Sequence, residues 1–401
     1  MQTKIHRDLA GLPEIQEADS ILRSCVHCGF CTAVCPTYQL LGNELDGPRG
    51  RIYLIKNLLE EGAMDAAAEA HLDRCLTCRS CETACPSGVQ YGRLLDIGRE
   101  RIGTRPGWLT WGLRLLVPRT GLMSLAMCLG VMVRGLLPPV LRDKLPRERY
   151  RVARSWARAP TRSVVLLRGC AQQAATPQVA DALEDLAGRA GVGVVTLAKE
   201  DCCGALEYHL AAHDDAKVRM RRLIDALCDA LDQGADTIVS SASGCGVTVR
   251  EYDKIFAREP DYAERAARVA ASTVDASEFL AGFEIECEPA TLACHVPCTL
   301  QHGQKLAGSV EQVLRGAGFE LTDVAEPHLC CGSAGTYVFT EPELSRELRS
   351  RKLGHLEAGN ADLIVTANVG CQLHLGAGTE IPVRHWVSVV QERVRTIRPR
   401  T

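Results

Sequence analysis

Apolar residues recur at helical spacing between two cysteine-rich runs near the start of the chain. The apolar positions are Ile52, Ile55, Leu58 and Leu59. Neighbours in this set that are three or four residues apart lie on one face of a helix, so the spacing predicts an amphipathic helix that begins near Arg49. The first hundred residues therefore indicate a mainly helical unit that carries cysteines on its connecting turns.

From Ser163 onward, short β-rich runs alternate with longer segments of helical pattern, and the series occurs twice. Each copy contains a strand that ends near a cysteine, an adjacent Cys-Cys-Gly, and a later strand followed by Gly-Cys. Cys170 and Cys202 are 32 positions apart, as are Cys298 and Cys330. Strands that alternate with helices are typical of βαβ units, so we expect two repeated α/β units with parallel sheets.

These patterns predict an α+β protein of several domains. We expect a mainly helical cysteine-rich domain at 1–98, a helical linker or docking segment at 99–160, a first Cys-Cys-Gly α/β repeat at 161–256, a helical connector at 257–288 and a second Cys-Cys-Gly α/β repeat at 289–401.

The linker differs from the rest of the chain in charge. Residues 99–158 contain 13 Lys/Arg against 3 Asp/Glu, a local charge of +10, together with Trp108, Trp111 and Trp156. Its longest uncharged apolar run, Gly121 to Val133, is 13 residues long, whereas a transmembrane helix needs roughly 20 residues. We therefore expect no membrane span here. A membrane-surface contact, a docking surface for acidic partners and a solvated linker remain open alternatives.

Composition narrows the class of protein. The 401 residues carry a net charge of −3 and only 4 % aromatic residues, so we expect no nucleic-acid partner. Twenty cysteines are too sparse in so long a chain for a disulfide scaffold. No signal-peptide pattern opens the sequence, and we expect a cytoplasmic protein whose clustered cysteines serve metal or redox chemistry.

The cysteines nearest the N-terminus form two copies of one motif, Cys-x-x-Cys-x-x-Cys-x-x-x-Cys-Pro. The copies consist of Cys25, Cys28, Cys31 and Cys35, and of Cys75, Cys78, Cys81 and Cys85. This spacing is typical of bacterial ferredoxins with [4Fe–4S] clusters, in which the fourth cysteine of each run ligates the other cluster. We therefore assign one cluster to Cys25, Cys28, Cys31 and Cys85, and the second to Cys75, Cys78, Cys81 and Cys35. Structural zinc is disfavoured because its ligand pairs are usually separated by a longer loop.

The repeats contain a second set of cysteines that could hold a third centre. They are Cys170, Cys202, Cys203 and Cys245 in the first repeat, and Cys298, Cys330, Cys331 and Cys371 in the second. Ligation of a third iron–sulfur cluster and a structural role both remain open, since free cysteines also pack as small apolar residues. An all-cysteine cubane would have to use both members of an adjacent pair, which is sterically awkward.

Several common catalytic motifs are absent from the sequence. No Gly-x-Gly-x-x-Gly follows a predicted strand, and neither a Walker loop nor a Gly-x-Ser-x-Gly elbow occurs. We therefore expect no catalytic residue for an organic substrate in this chain. A flavin that accepts the hydride would have to lie on another polypeptide.

The complete motif set resembles a known family. Besides the two ferredoxin runs, the stretches that carry the resemblance are Asp46-Gly-Pro-Arg-Gly-Arg-Ile, His71-Leu-Asp-Arg-Cys, Cys298-Thr-Leu-Gln-His and His328-Leu-Cys-Cys-Gly-Ser-Ala-Gly-Thr-Tyr. The family contains the iron–sulfur subunits of glycolate oxidase, anaerobic glycerol-3-phosphate dehydrogenase and lactate utilisation systems, and the glycolate oxidase branch is the most similar.

The resemblance implies an electron-transfer subunit of an acceptor-dependent, non-NAD 2-hydroxy-acid dehydrogenase. Flavin-binding partner subunits, which alone carry FAD, would oxidise glycolate or D-lactate to the 2-oxo acid. Two [4Fe–4S] clusters in this chain would then pass electrons to a quinone or the respiratory chain. A peripheral position at the cytoplasmic face of the inner membrane follows from the same resemblance.

The sequence departs from the family pattern at a position that matters for an alternative function, a thiol/disulfide redox subunit similar to heterodisulfide reductase. Heterodisulfide reductase, whose subunits share the Cys-Cys-Gly half, ends the motif in Cys-x-x-Cys. Here Thr248 and His374 occupy the last position of the two copies. Both copies therefore lack that thiolate, which disfavours thiol/disulfide chemistry. An iron–sulfur subunit of a related glycerol-3-phosphate or lactate dehydrogenase remains a second alternative.

Overall fold

A computed structural model describes residues 1–64, 66–103, 107–143, 145–146, 152, 160, 162–197 and 199–400. The N-terminal domain is helical. Its helices are α1 (Pro13–Ser24), α2 (Phe30–Ala33), α3 (Pro36–Leu41), α4 (Pro48–Glu61), α5 (Ala66–Asp73), α6 (Ser80–Thr83) and α7 (Tyr91–Ile102). Helices α1, α3 and α4 each have a proline in the first turn, where its missing N–H costs no hydrogen bond.

The helix predicted to begin near Arg49 is confirmed as α4, and its apolar face forms the core of the domain. Ile52, Ile55 and Leu59 are buried against α1 and α7. Helix α7 crosses α4 closely, since a Cβ added to Gly98 would lie 2.9 Å from Ile55 Cγ1. The packing of α1, α4 and α7 therefore holds the cysteine-bearing loops in fixed positions.

The linker is helical where it is described, in α8 (Trp108–Leu116), α9 (Thr120–Met132) and α10 (Pro139–Arg142). Met123 and Met127 pack α9 against the repeats. No single helix of the described residues is long and apolar enough to cross a membrane, although α8 and α9 together have a suitable length and composition. The two helices are bent by 111°. Trp156 and most of 147–159 lie outside the described residues.

The first repeat folds around a parallel four-stranded sheet. Its elements are β1 (Arg162–Leu167), α11 (Cys170–Ala175), α12 (Gln178–Arg189), β2 (Val192–Val195), α13 (Ala205–His209), α14 (His213–Asp232), β3 (Ala235–Ser240), α15 (Ser243–Arg250), α16 (Tyr252–Ile255), α17 (Ala263–Ser272), β4 (Thr273–Asp275), α18 (Ala276–Ala281) and β5 (Phe283–Cys287). The strand order is β2-β1-β3-β4. The segment 257–288 is therefore not wholly helical, because β4 completes this sheet and β5 joins another.

The second repeat has the same sheet order. Its elements are β6 (Thr291–His295), α19 (Ser309–Gly316), β7 (Glu320–Leu321), α20 (Tyr337–Thr340), α21 (Pro342–Glu357), β8 (Leu363–Thr366), α22 (Val369–Gly376), β9 (Val383–His385), α23 (Trp386–Arg393) and β10 (Val394–Pro399). The parallel order is β7-β6-β8-β9, and β10 pairs antiparallel with β5. The predicted repeat of parallel α/β units is thus confirmed.

The two repeats share one apolar core. Val164 and Leu183 of the first repeat lie in the same buried cluster as Leu292, Val365 and Trp386 of the second. On β1, Val164 and Leu166 face this shared core, whereas Val165 and Leu167 face the core of the first repeat. The sheet is therefore covered on both faces, as parallel sheets generally are.

Ion pairs and hydrogen bonds attach the N-terminal domain to both repeats. Arg79 pairs with Glu251 of the first repeat at 2.6 Å, and Arg74 lies 3.7 Å from Glu341 of the second. Thr83 Oγ1 lies 2.9 Å from a ring nitrogen of His302. These contacts hold the cysteine loops of the N-terminal domain against the Cys-Cys-Gly units.

Candidate metal centres

The first cysteine group lies around a pocket in the N-terminal domain. Cys25, Cys28 and Cys31 of the first loop line this pocket together with Cys85 from the second loop, and Cys81 also borders it. The charge on Cys25 and Cys85 acts on the Cys31 thiol, whose pKa is raised mainly by burial. This arrangement matches the ligand set assigned from the sequence, which stays a prediction.

The backbone of both cysteine loops adopts the same left-handed turns. His27 and Thr77 each have φ 55°, and two positions later Gly29 and Arg79 have φ 85° and 61°. Positive φ is costly for a β-branched residue such as Thr77, so the loop stores strain that its surroundings must hold. Such strain concentrates at functional sites, and here it curls the chain so that successive cysteines point to one side.

The second cysteine group is more deeply buried. Burial raises the pKa of Cys78 and Cys81 well above that of a free thiol, and negative charge on Cys75 and Cys35 raises it further. Cys35 comes from the other loop, as the crossed assignment requires. Thiolates are the ligands that iron needs, and neighbouring thiolates in a buried site are unfavourable without a bound cation. The donor set fits an iron–sulfur cluster.

The buried side chain of Arg51 gives independent support for an iron–sulfur cluster at the second cysteine group. Arg51 is 1 % exposed, and its Nε donates to the His71 carbonyl at 2.7 Å. Its Nη2 lies 3.7 Å from Asp46 and has no hydrogen-bond partner among the described residues. Burial alone would lower the pKa of Arg51, but negative charge on Cys75, Tyr91 and Cys35 raises it. The unpartnered donor therefore belongs to a side chain on which the charge of Cys75 and Cys35, two of the proposed ligands of the second cluster, acts.

The first-repeat cysteines form a compact group. Cys170 Sγ lies 3.3 Å from Cys202 Sγ, and Cys203 interacts with both Cys202 and Cys245. Gly169 is needed before Cys170, since its φ is 70° and a Cβ there would lie 3.2 Å from Cys245 Sγ. The structure thus brings together all four first-repeat cysteines singled out in the sequence.

A carboxylate that the sequence analysis missed borders this group. Glu200 accepts hydrogen bonds from the backbone N–H of Gly169 at 2.7 Å and of Arg168 at 3.2 Å. Burial nevertheless raises the pKa of Glu200 to about 7. A carboxyl group with this pKa can hold or release a proton near neutral pH beside Cys202. No motif marks it, because a lone glutamate in a loop is usually solvated.

The second-repeat cysteines form a corresponding group with an added imidazole. Cys298 Sγ lies 3.9 Å from Cys330 Sγ, and Cys331 interacts with Cys371. A ring nitrogen of His295 and the Sγ atoms of Cys331 and Cys371 all lie within 4.8 Å of one another. Cys294, the next residue back along β6, is buried in the shared core instead.

The second cysteine group of the N-terminal domain adjoins the second-repeat group. Cys78 and Cys298 pack against one apolar cluster that contains Leu76 and Cys330. The charge on Cys298 is the largest of the neighbouring charges that raise the pKa of Cys78. The structure therefore places three cysteine groups in series, from the pocket at Cys25 through the second group to the second repeat.

Comparisons with known proteins agree with this division of the chain. The model of a 4Fe-4S dicluster domain matches residues 21–89, and the model of a cysteine-rich domain matches residues 164–250 and 292–376. Among solved structures, a hypothetical protein from Helicobacter pylori is similar in fold, with a TM-score of 0.55 at 9 % identity over 95 % of this chain and 72 % of that chain.

Curated relatives extend the similarity over the whole chain. The chain is 47 % identical to the glycolate oxidase iron-sulfur subunit of Escherichia coli, over 98 % of this chain and 99 % of the relative. It is 32 % identical to a probable glycolate oxidase iron-sulfur subunit of Bacillus subtilis, over 90 % and 89 %. Lactate utilization protein A of Shouchella clausii is 27 % identical over 58 % of this chain and 99 % of that protein.

Arg51 is expected to raise the reduction potential of the second cluster, because a fixed positive charge stabilises the more negative reduced state. Arg51→Met should lower the midpoint potential by about 60 mV, which is ~1.4 kcal/mol for one electron. A redox titration followed by EPR measures the shift. Arg51→Lys keeps the charge and should shift the potential less, and Arg23→Met, at an exposed ion pair with Asp19, should leave it unchanged. An unaltered potential in Arg51→Met with full iron content would contradict this role.

Proposed function

The chain belongs to the family of glycolate oxidase iron–sulfur subunits, and on that premise we propose that it conducts electrons within a glycolate-oxidising complex. Flavin-binding partner subunits, which hold the FAD, oxidise glycolate or D-lactate to the 2-oxo acid, and a quinone or the respiratory chain receives the electrons. When bound, two [4Fe–4S] clusters supply one-electron carriers. The observation that supports this proposal is that Cys85 lies at the pocket lined by Cys25, Cys28 and Cys31, and that the charge on Cys35 acts on the buried Cys81.

The residues of this chain hold and tune these carriers rather than act on the substrate. Tyr91 donates a hydrogen bond to Cys75 Sγ at 3.6 Å, and the backbone N–H of Val89 donates to Cys85 Sγ at 3.5 Å. Donors of this kind stabilise charge on cysteine sulfur and so help to set a reduction potential. With no motif for hydride transfer in the sequence, the substrate-binding pocket belongs to a partner subunit.

The electron path begins at the more exposed group. Cys28 is exposed, and the adjacent Val26 and Phe30 are 66 % and 63 % exposed. Large apolar side chains beside an exposed cysteine favour a partner contact at this end of the domain. The second group is buried and adjoins the second repeat, so the path leads inward from the flavin subunit.

Removal of the first cluster tests the proposal. In the complex purified anaerobically, Cys28→Ala with Cys31→Ala should abolish glycolate-driven reduction of a quinone analogue, while glycolate still bleaches the partner flavin. Iron analysis should show a loss of about four iron atoms per chain. Cys128→Ala changes a cysteine outside the four groups and should leave both measurements unchanged.

The alternative outcomes separate the competing functions. Full quinone reduction by the double variant would contradict electron conduction through this chain and favour a purely structural role. Zinc in place of iron in the wild-type chain would contradict the cluster assignment. Turnover of a heterodisulfide by the isolated chain would instead support thiol/disulfide chemistry.

We also propose a membrane contact through α9, by which the complex would lie at the cytoplasmic face of the inner membrane. Leu122, Leu125, Leu129 and Met132 are each more than half exposed and follow one another at helical spacing. The opposite side of α9 is occupied by contacts with the repeats. The segment 99–158 that contains α9 has an excess of Arg and Lys in its sequence. An apolar helix face in such a segment is typical of helices that lie in the membrane interface, where anionic lipids attract Arg and Lys.

Vesicle binding tests the membrane contact. Leu129→Glu should reduce co-flotation of the complex with vesicles that contain anionic phospholipid, because a carboxylate would enter the lipid interface. Val218→Glu changes an apolar residue on α14 that is 44 % exposed and should not alter flotation. Equal flotation of Leu129→Glu and wild type would contradict the membrane contact. Loss of a partner subunit from Leu129→Glu would assign α9 to protein docking instead.

A further inference from the structure

The two repeats have different residues at the end of the strand that precedes each cysteine group. Three residues before Cys170, strand β1 ends at Leu167, whereas three residues before Cys298, strand β6 ends at His295. Both side chains are buried. The sequence has therefore placed an imidazole in the second repeat where the first repeat has an aliphatic side chain.

One ring nitrogen of the buried His295 side chain has no hydrogen-bond partner among the described residues. This nitrogen is Nε2, and the side chain is 2 % exposed. An unsatisfied buried polar group destabilises the folded state. A leucine would avoid that cost, as in the first repeat, so the imidazole requires another explanation.

The residues around His295 explain why an imidazole is present at this position. A ring nitrogen lies within 4.8 Å of the Sγ atoms of both Cys331 and Cys371, and all three side chains are buried. Neutral imidazole and thiolate sulfur are both ligands that transition metals bind.

We propose that His295 is a ligand of a metal centre in the second repeat, with Cys331 and Cys371 as thiolate ligands. The site takes a transition metal that accepts mixed imidazole and thiolate ligands, namely iron in an iron–sulfur centre or zinc. This inference rests on the proposed function and deepens it: an iron–sulfur centre here would extend the electron path, whereas zinc, which has no redox chemistry, would have a structural role. The imidazole also removes a steric difficulty, because the centre no longer needs both adjacent cysteines as ligands.

Neighbouring groups fit such a centre. Cys298 and Cys330 lie close enough for their charge to act on Cys371. Lys352 is 2 % exposed, and its ammonium donates to the Glu326 carbonyl at 2.6 Å. The Cys331 and Cys330 charges act on this ammonium, which in turn offsets the negative charge that thiolate ligands bring.

Metal analysis of the intact complex tests the proposal. The wild-type complex, purified anaerobically, should contain iron or zinc in addition to the eight irons of the two ferredoxin clusters. His295→Leu, which installs the residue of the first repeat, should weaken retention of this additional metal against a chelator by at least ~10-fold. His355→Leu, which changes a partly exposed histidine on α21, should retain it.

A second variant, His295→Cys, distinguishes the loss of a nitrogen ligand from a failure to fold. His295→Cys replaces the imidazole by a thiolate, so it should keep the additional metal but lose the nitrogen signature of the ligand. Pulsed EPR detects that nitrogen for iron, and X-ray absorption detects it for zinc. The nitrogen signature should be present in wild type and in His355→Leu.

Two results would overturn the proposal. One is a wild-type complex with eight irons and no additional metal. The other is His295→Leu with unaltered metal retention and an unaltered ligand spectrum. Failure of the proposed function is distinguishable from both, since it would appear as loss of the eight ferredoxin irons or as quinone reduction that survives loss of the first cluster.

Discussion

Charge compensation among buried thiolates is the constraint on which the rest of this structure depends. Thiolates that ligate a metal repel one another, and burial makes each of them harder to ionise. The raised pKa values of Cys78 and Cys81 express this cost directly. A bound metal offsets most of it, and fixed cations offset part of the remainder. Arg51 does so beside the second group of the N-terminal domain, and Lys352 does so in the second repeat.

The same constraint explains why the protein combines a helical domain with α/β units. Left-handed turns at His27 and Thr77 are strained, and they persist because the helices on either side are packed into one core. In the repeats, the cysteines follow the ends of parallel strands, where open α/β sheets generally form their sites. The covered sheets hold these strand ends in place, so Cys170 and Cys245, which are 75 residues apart in sequence, meet in one group.

Much of this organisation could be predicted from the sequence because cysteine spacing and strand periodicity are local patterns. The two ferredoxin runs and the repeated Cys-Cys-Gly indicated the N-terminal domain and the parallel sheets. The three-residue strand β4 was missed because so short a segment has no measurable periodicity. Arg51 was missed as a functional group, since an arginine in an amphipathic helix is usually on the solvent face. Only tertiary packing shows that it is buried, and only the distances around His295 distinguish it from an ordinary core histidine.

The position of α9 links the proposed membrane contact to the cysteine groups. Its buried side packs against Ala171 and Ala175 of α11 and against Val369 and Leu373 of α22. Helix α11 begins at Cys170, and α22 contains Cys371. If the exposed face of α9 lies on lipid, the helices that carry these two cysteines are the next layer from the membrane. An acceptor dissolved in the bilayer would then approach the repeats rather than the N-terminal domain. Under the proposed function, electrons would then enter at Cys28 and leave through the second repeat.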